Sequence, residues 1–94
     1  MDNGMKVMDL SMKLTQLNPL IDSEKKELDG KVYREVFIEV RSGVKVLARI
    51  DETTEGIYTT DFKGYRVLSD TTKEKLHQLL DEYTQTPVNV RLAK

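Results

Sequence analysis

The sequence predicts an α+β fold: an antiparallel sheet of three or four strands with an N-terminal and a C-terminal helix packed on it. Two observations carry this. From Val32 to Ile50, apolar and polar side chains alternate on both sides of a Ser42-Gly43 break, the pattern of a β-hairpin with one buried face. The segments Met5 to Leu17 and Thr71 to Tyr83 instead repeat apolar residues at spacings of three and four, the period of a helix that buries one side. A chain of 94 residues is a single domain with one modest core.

In the first helix Val7, Leu10, Leu14 and Leu17 fall within an arc of about 80° at ~100° per residue, and Asn18-Pro19 ends it. Asp22-Ser23 is expected to cap a short helical turn through Glu27, because their side-chain oxygens accept bonds from free first-turn amides. Asp29-Gly30 then turns the chain into the first strand.

Within the hairpin, Val36, Ile38 and Val40 form the core face, and directly opposed residues share a face. A loop of three residues, Ser42-Gly43-Val44, pairs Val40 with Val46, Ile38 with Ala48 and Val36 with Ile50. A shorter Ser42-Gly43 loop would set Lys45, Leu47 and Arg49 there, so the longer loop is expected, with Gly43 or its neighbour at positive φ. The other face then carries Tyr33, Glu35, Phe37, Glu39, Arg41, Lys45, Leu47 and Arg49.

Beyond the hairpin, Asp51 to Glu55 reads as a polar loop and Gly56 to Thr60 as a β-prone segment. A turn over Asp61-Phe62-Lys63-Gly64 leads to a further short strand, Tyr65 to Leu68. In the second helix Thr71-x-x-Glu74 fits a capping box, and Leu76, Leu79, Leu80 and Tyr83 make the buried stripe. Thr86-Pro87 stops it. Val88, Val90 and Leu92 then alternate with polar residues, so the tail is expected to dock as an extended edge strand on its own sheet or that of a second copy.

The 15 basic and 16 acidic residues leave a formal charge of −1, and no chain-wide field draws the protein to nucleic acid or an anionic membrane. No cysteine is present, which excludes disulfides, thiolate metal sites and cysteine nucleophiles and fits a reducing, cytoplasmic location. No apolar run approaches the roughly 20 residues of a membrane span, and Asp9 and Lys13 interrupt any signal-peptide core. His77 is the only histidine, flanking the stripe of the second helix, so neither a catalytic triad nor a His-pair metal site can be assembled. Asp51, Glu52 and Glu55 lack the ligand spacing of a calcium loop, and Gly43, Gly56 and Gly64 are isolated turn residues rather than a phosphate loop. No catalytic residue, metal or cofactor is expected.

Two surfaces carry functional expectations. Met5, Met8 and Met12 fall together on the first helix nearly opposite its leucine stripe, and methionine adapts well to partner surfaces. They are candidate protein-interaction residues; the competing reading is a frayed N-terminus where exposure costs little. On the outer sheet face, Tyr33, Phe37, Arg41, Lys45 and Arg49 combine aromatic rings with basic groups, as in single-stranded nucleic-acid binding. Glu35 and Glu39 are interleaved with them, and the alternatives are a solvated face or one covered by a helix.

The segment Leu79 to Arg91, a helix end followed by Tyr83-x-x-Thr86-Pro87-x-x-x-Arg91, resembles small accessory proteins of Gram-positive bacterial phages and prophages. The resemblance implies a phage context and no activity or site residue. The expectation is thus a non-enzymatic protein-interaction module, a phage-type regulator or inhibitor acting through a protein partner or as an oligomer, with single-stranded nucleic-acid binding as the alternative.

Overall fold

The computed structural model describes residues 4–92, and within them the α+β architecture is present. Helix α1 (Val7–Leu17) is followed by strands β1 (Ile21–Leu28), β2 (Lys31–Val40), β3 (Gly43–Asp51) and β4 (Tyr58–Thr59). Helices α2 (Lys63–Arg66), α3 (Asp70–Gln85) and α4 (Val88–Arg91) complete the chain. The four strands pair antiparallel in sequence order. Leu10 and Leu14 of α1 and Leu76, Leu80 and Tyr83 of α3 meet Ile21, Val36, Leu47, Ala48 and Ile50 of the sheet in one buried core.

β1 replaces the expected turn of helix at Asp22 to Glu27. The cause lies at Asp29-Gly30, where φ of 52° and 78° sets two consecutive residues in the left-handed region. That conformation matches the twist of a tight hairpin, so the turn pairs its two flanks and draws a polar segment of weak strand preference into the sheet. Asp22 bends back over the free edge of β1, accepting from the Ser23 amide (2.8 Å) and from the Ser11 hydroxyl of α1 (3.1 Å). With charged residues along the rest of β1, this blunts pairing with a foreign strand.

The β2–β3 hairpin is where it was expected, but its register differs. Val40 pairs with Gly43 across an Arg41-Ser42 turn, and Gly43 takes the positive φ, 126°. Val36 therefore faces Ala48 rather than Ile50, and Val46 faces Phe37 rather than Val40. From this turn, an unbroken ladder would put Ala48 and Ile50 on the wrong side. A bulge opposite Val36 and Phe37 inserts Leu47 as an extra residue and restores the parity, so Ala48 and Ile50 face the helices. Leu47, expected on the outer face, is fully buried.

Tyr65 to Leu68 enters a helical turn, α2, instead of a strand. Tyr65 and Leu68 both pack on the core at a spacing of three, while Arg66 and Val67 between them are exposed. α2 lies against β3 where β4 ends. A Cβ on Gly64 would sit 2.6 Å from the Val46 carbonyl oxygen and 3.2 Å from the Leu47 and Lys45 side chains. α3 begins one residue before the expected Thr71, and its cap is Ser69, whose hydroxyl accepts from the Thr72 amide at 3.2 Å.

The tail is a short helix rather than an edge strand, and the reason is Arg91. Its side chain is completely buried. Nε donates to the Thr86 carbonyl (2.9 Å), Nη1 to the Asp51 carbonyl and Glu52 Oε1 (3.0 and 3.1 Å), and Nη2 to the Thr84 and Thr54 carbonyls (2.7 and 3.4 Å). All five guanidinium N–H groups are thus used. Glu52 Oε2 accepts in turn from Arg34 Nε (2.9 Å) and from the Tyr83 hydroxyl (2.7 Å), and burial together with this bond pushes the Tyr83 phenol above its ordinary pKa. One helical turn after Pro87 carries Arg91 back to these carbonyls; an extended tail would carry it away.

Two substitutions test this packing. Gly64→Ala should lower stability by about 1–3 kcal/mol, because the added methyl meets backbone that cannot yield as a side chain does. Arg91→Ala should cost about 3–5 kcal/mol by leaving Glu52 with one fewer partner and the buried carbonyls unpaired. Both are read from chemical-denaturation midpoints, and an unchanged midpoint for either would contradict the packing described.

Candidate functional site

Helices α1 and α3 lie on one side of the sheet, and the opposite face carries the residues the sequence singled out. Opposed residues share a face, so its rows follow from the register. Asp22, Phe37 and Val46 form one row, Glu24, Glu35 and Arg49 the next, and Lys26, Tyr33 and Asp51 a third. At the hairpin end the Glu39 amide donates to the Leu20 carbonyl (3.0 Å) and Glu39 pairs with Val44, which extends the face by Leu20, Glu39 and Val44.

Of the five residues expected to form a basic aromatic surface, Tyr33, Phe37 and Arg49 are brought together. Arg41 sits in the turn, and the register that turn sets places Lys45 opposite Ile38, on the helix side of the sheet. Arg49 is already engaged: Nη2 and Nε donate to Glu35 Oε2 (2.8 and 3.3 Å), and the guanidinium stacks over Tyr33 and Phe62 with ring centroids at 5.9 and 5.6 Å. Lys26 pairs with Glu24 (3.0 Å) and Lys31 with Asp51 (2.9 Å). Each basic side chain of this face therefore has a carboxylate partner, and its uncommitted part is the block Leu20, Phe37, Val44 and Val46. Leu20 and Val44 are 53% and 61% exposed.

The methionine stripe is divided. Met5 is only 3% exposed and belongs to the core, because the segment before α1 docks on the end of α3: the Met5 amide donates to Thr86 Oγ1 (2.9 Å), and Gly4 leaves room for that side chain. Met8 and Met12 remain on the surface, 74% and 55% exposed, one turn apart on α1.

A cluster that sequence reasoning did not assemble joins β4 to α3. The Tyr58 hydroxyl donates to Asp81 Oδ1 (2.6 Å), His77 Nδ1 lies 2.9 Å from the same hydroxyl, and His77 Nε2 is 3.4 Å from Asp81 Oδ2. Burial and then the Asp81 bond raise the Tyr58 pKa, which keeps the phenol a neutral donor and makes it a poor nucleophile or base. The signal in sequence was the His77 and Asp81 spacing of four on one helix face. The acidic loop is dispersed among separate partners: Asp51 faces Lys31 and Thr53, Glu52 enters the buried cluster, and Glu55 accepts from the Val88 amide. Among the described residues no group of three side chains is placed to hold a metal ion, and no helix is long and apolar enough to cross a membrane. No protein-family model matches the chain, and no curated protein or solved structure matches it.

The Asp51 carboxyl illustrates the electrostatics of this face. Burial pushes its pKa up, but bonds from the Thr53 hydroxyl and amide and from Lys31 outweigh that and bring it from 3.8 down to about 2. A group lowered in the folded state stabilises above its unfolded value, and that stability is lost as pH falls toward the folded one. The urea midpoint should therefore drop between pH values of about 4 and 2, and Asp51→Asn should flatten that part of the profile. Superimposable profiles would remove Asp51 from the account.

Proposed function

We propose that this protein is a non-enzymatic interaction module whose uncovered sheet face docks on a protein partner or on a second copy of itself. The observation that carries this reading is the block Leu20, Phe37, Val44 and Val46, contiguous from the residue before β1 across β2 and β3 on a face whose basic groups are internally paired. An apolar centre with a satisfied polar surround is the anatomy of a protein interface. Met8 and Met12 supply an adaptable pair elsewhere on the surface. The resemblance of Leu79 to Arg91 to phage accessory proteins adds only a phage context, within which we propose that such a module acts as a cytoplasmic regulator or inhibitor.

Single-stranded nucleic acid is less favoured as the occupant of this face. Glu24, Glu35, Glu39 and Asp51 outnumber Lys26, Lys31 and Arg49 there, so phosphates would be repelled, and Arg49 would have to leave Glu35 to bind one.

The test uses Leu20→Glu with Val44→Glu, both at exposed positions, and Met8→Gln with Met12→Gln as a separate pair. Sedimentation of the purified protein and capture from its source cell should both be compared with the unaltered chain. The sheet-face pair should weaken self-association or capture at least tenfold, about 1.4 kcal/mol, with an unchanged melting temperature. The interaction reading fails if neither pair alters either measurement.

A further inference from the structure

A second concave surface lies on the helix side of the sheet, where β1 and β2 extend past the helices toward α4. It is a cleft of about 380 Å³ with Val32, Val88 and Leu92 as aliphatic walls, Lys25 at one side, and Arg34 and Glu52 at its polar end. We infer that this cleft binds a small monoanionic carboxylate with a short aliphatic chain, the carboxylate on the free edge of Arg34 and the chain against Val32, Val88 and Leu92.

The charge argument begins in the buried cluster. Arg34 and Arg91 share one carboxylate, Glu52, so the cluster holds one positive charge in excess. That excess is distributed unevenly. Arg91 spends every N–H on protein acceptors, whereas Arg34 gives Nε to Glu52 (2.9 Å) and one bond from Nη1 to the Ser23 hydroxyl (3.3 Å). Among the described residues nothing accepts from Arg34 Nη2. No fully buried side-chain nitrogen or oxygen among them lacks a partner, so this nitrogen must reach solvent. The side chain is only 11% exposed, and it lines the cleft.

A guanidinium so enclosed is weakly hydrated and presents parallel donors, the arrangement that takes a carboxylate in two bonds. The neighbouring acidic groups do not cancel it, since Asp51 is held by Lys31 and Thr53 and Glu55 by the Val88 amide. Glu52 sets the charge limit. With Lys25 balanced in formal charge by Glu27, which lies opposite Val32 on the same side of the sheet, a single carboxylate matches the one-charge excess and a doubly charged phosphate exceeds it. The volume has room for roughly a dozen waters, enough for a small organic acid.

This site is independent of the sheet-face interface and stands or falls separately. The probes are 4-methylpentanoate as a free acid, acetyl-leucine as a stand-in for a peptide end, 4-methylpentanamide as the uncharged control, and inorganic phosphate. Amide chemical shifts of the ¹⁵N-labelled full chain should move at Val32, Arg34, Thr53 and Val88 with either carboxylate, at a Kd of about 1 mM or tighter. The amide and phosphate should bind at least tenfold more weakly. Tighter binding of acetyl-leucine than of the free acid would assign the carboxylate to a peptide end, and the reverse to a free acid.

Arg34→Gln should abolish binding. Because it also removes a partner of Glu52 and can unfold the chain, Leu92→Trp serves beside it: at an exposed wall position it should block the cleft, abolish binding and leave melting unchanged. Lys25→Gln should weaken binding a few-fold. No shift at any of these amides, equal binding of acid and amide, or full binding by folded Leu92→Trp would each overturn the inference.

Discussion

The rest of the structure depends on burying the Arg91 guanidinium. A planar cation with five donors can leave water only where acceptors surround it, and most of those here are main-chain carbonyls at the ends of other elements: Asp51 at the end of β3, Thr54 in the loop beyond it, Thr84 and Thr86 at the end of α3. The same Thr84 carbonyl also accepts from the Gly56 amide (2.8 Å). One side chain thus ties the loop beyond β3 to the end of α3 and holds the tail over both. Thr86, which bonds Arg91 through its carbonyl, also holds the Met5 amide through its hydroxyl, so the N-terminal approach to α1 joins the same knot. The spacing Tyr83-x-x-Thr86-Pro87-x-x-x-Arg91 has a folding explanation: tyrosine and arginine meet on Glu52, threonine anchors the other terminus, and proline ends the helix between them.

The sheet is organised by a second constraint, the parity of β3. A turn at Arg41-Ser42 and a core that needs Ala48 and Ile50 demand opposite alternations, and the inserted Leu47 reconciles them. Turn and bulge determine more than register. The turn sends Lys45 to the helix side, thinning the positive charge of the outer face, and sets Phe37 beside Val46 in an apolar block, while the bulge returns Arg49 to that face opposite Glu35. The surface offered to a partner is thus a consequence of how the core was satisfied. Among the described residues, α1 and α3 cover one face of the four strands and no helix layer covers the other.

The two candidate sites differ in physical character. The outer face is broad, net acidic with each basic group paired to a carboxylate, and apolar at one end, suited to another folded surface. The Arg34 cleft is small and holds a partly satisfied cation, suited to an anion of matching charge. They share β2, whose alternate side chains supply Tyr33 and Phe37 to one and Val32 and Arg34 to the other.

Periodicity and punctuation in the sequence were enough for the α+β class, α1 and α3, the central hairpin and the helix stop at Asn18-Pro19, because each rests on neighbouring residues alone. β1 is not read from the sequence: the Asp29-Gly30 turn is visible, but the polar flank before it reads as a capped helical turn when its own preferences are consulted. Tyr65 and Leu68 carried a helical spacing in a segment of strand-like residues, and His77 and Asp81 carried a helical pair. What tertiary structure alone decided is the hairpin register, the burial of Met5, and the fate of the tail. Alternating Val88, Val90 and Leu92 favour an extended chain locally, but a buried cation must be matched by acceptors distant in sequence, and only the assembled fold brings the carbonyls of Asp51, Thr84 and Thr86 within reach of Arg91.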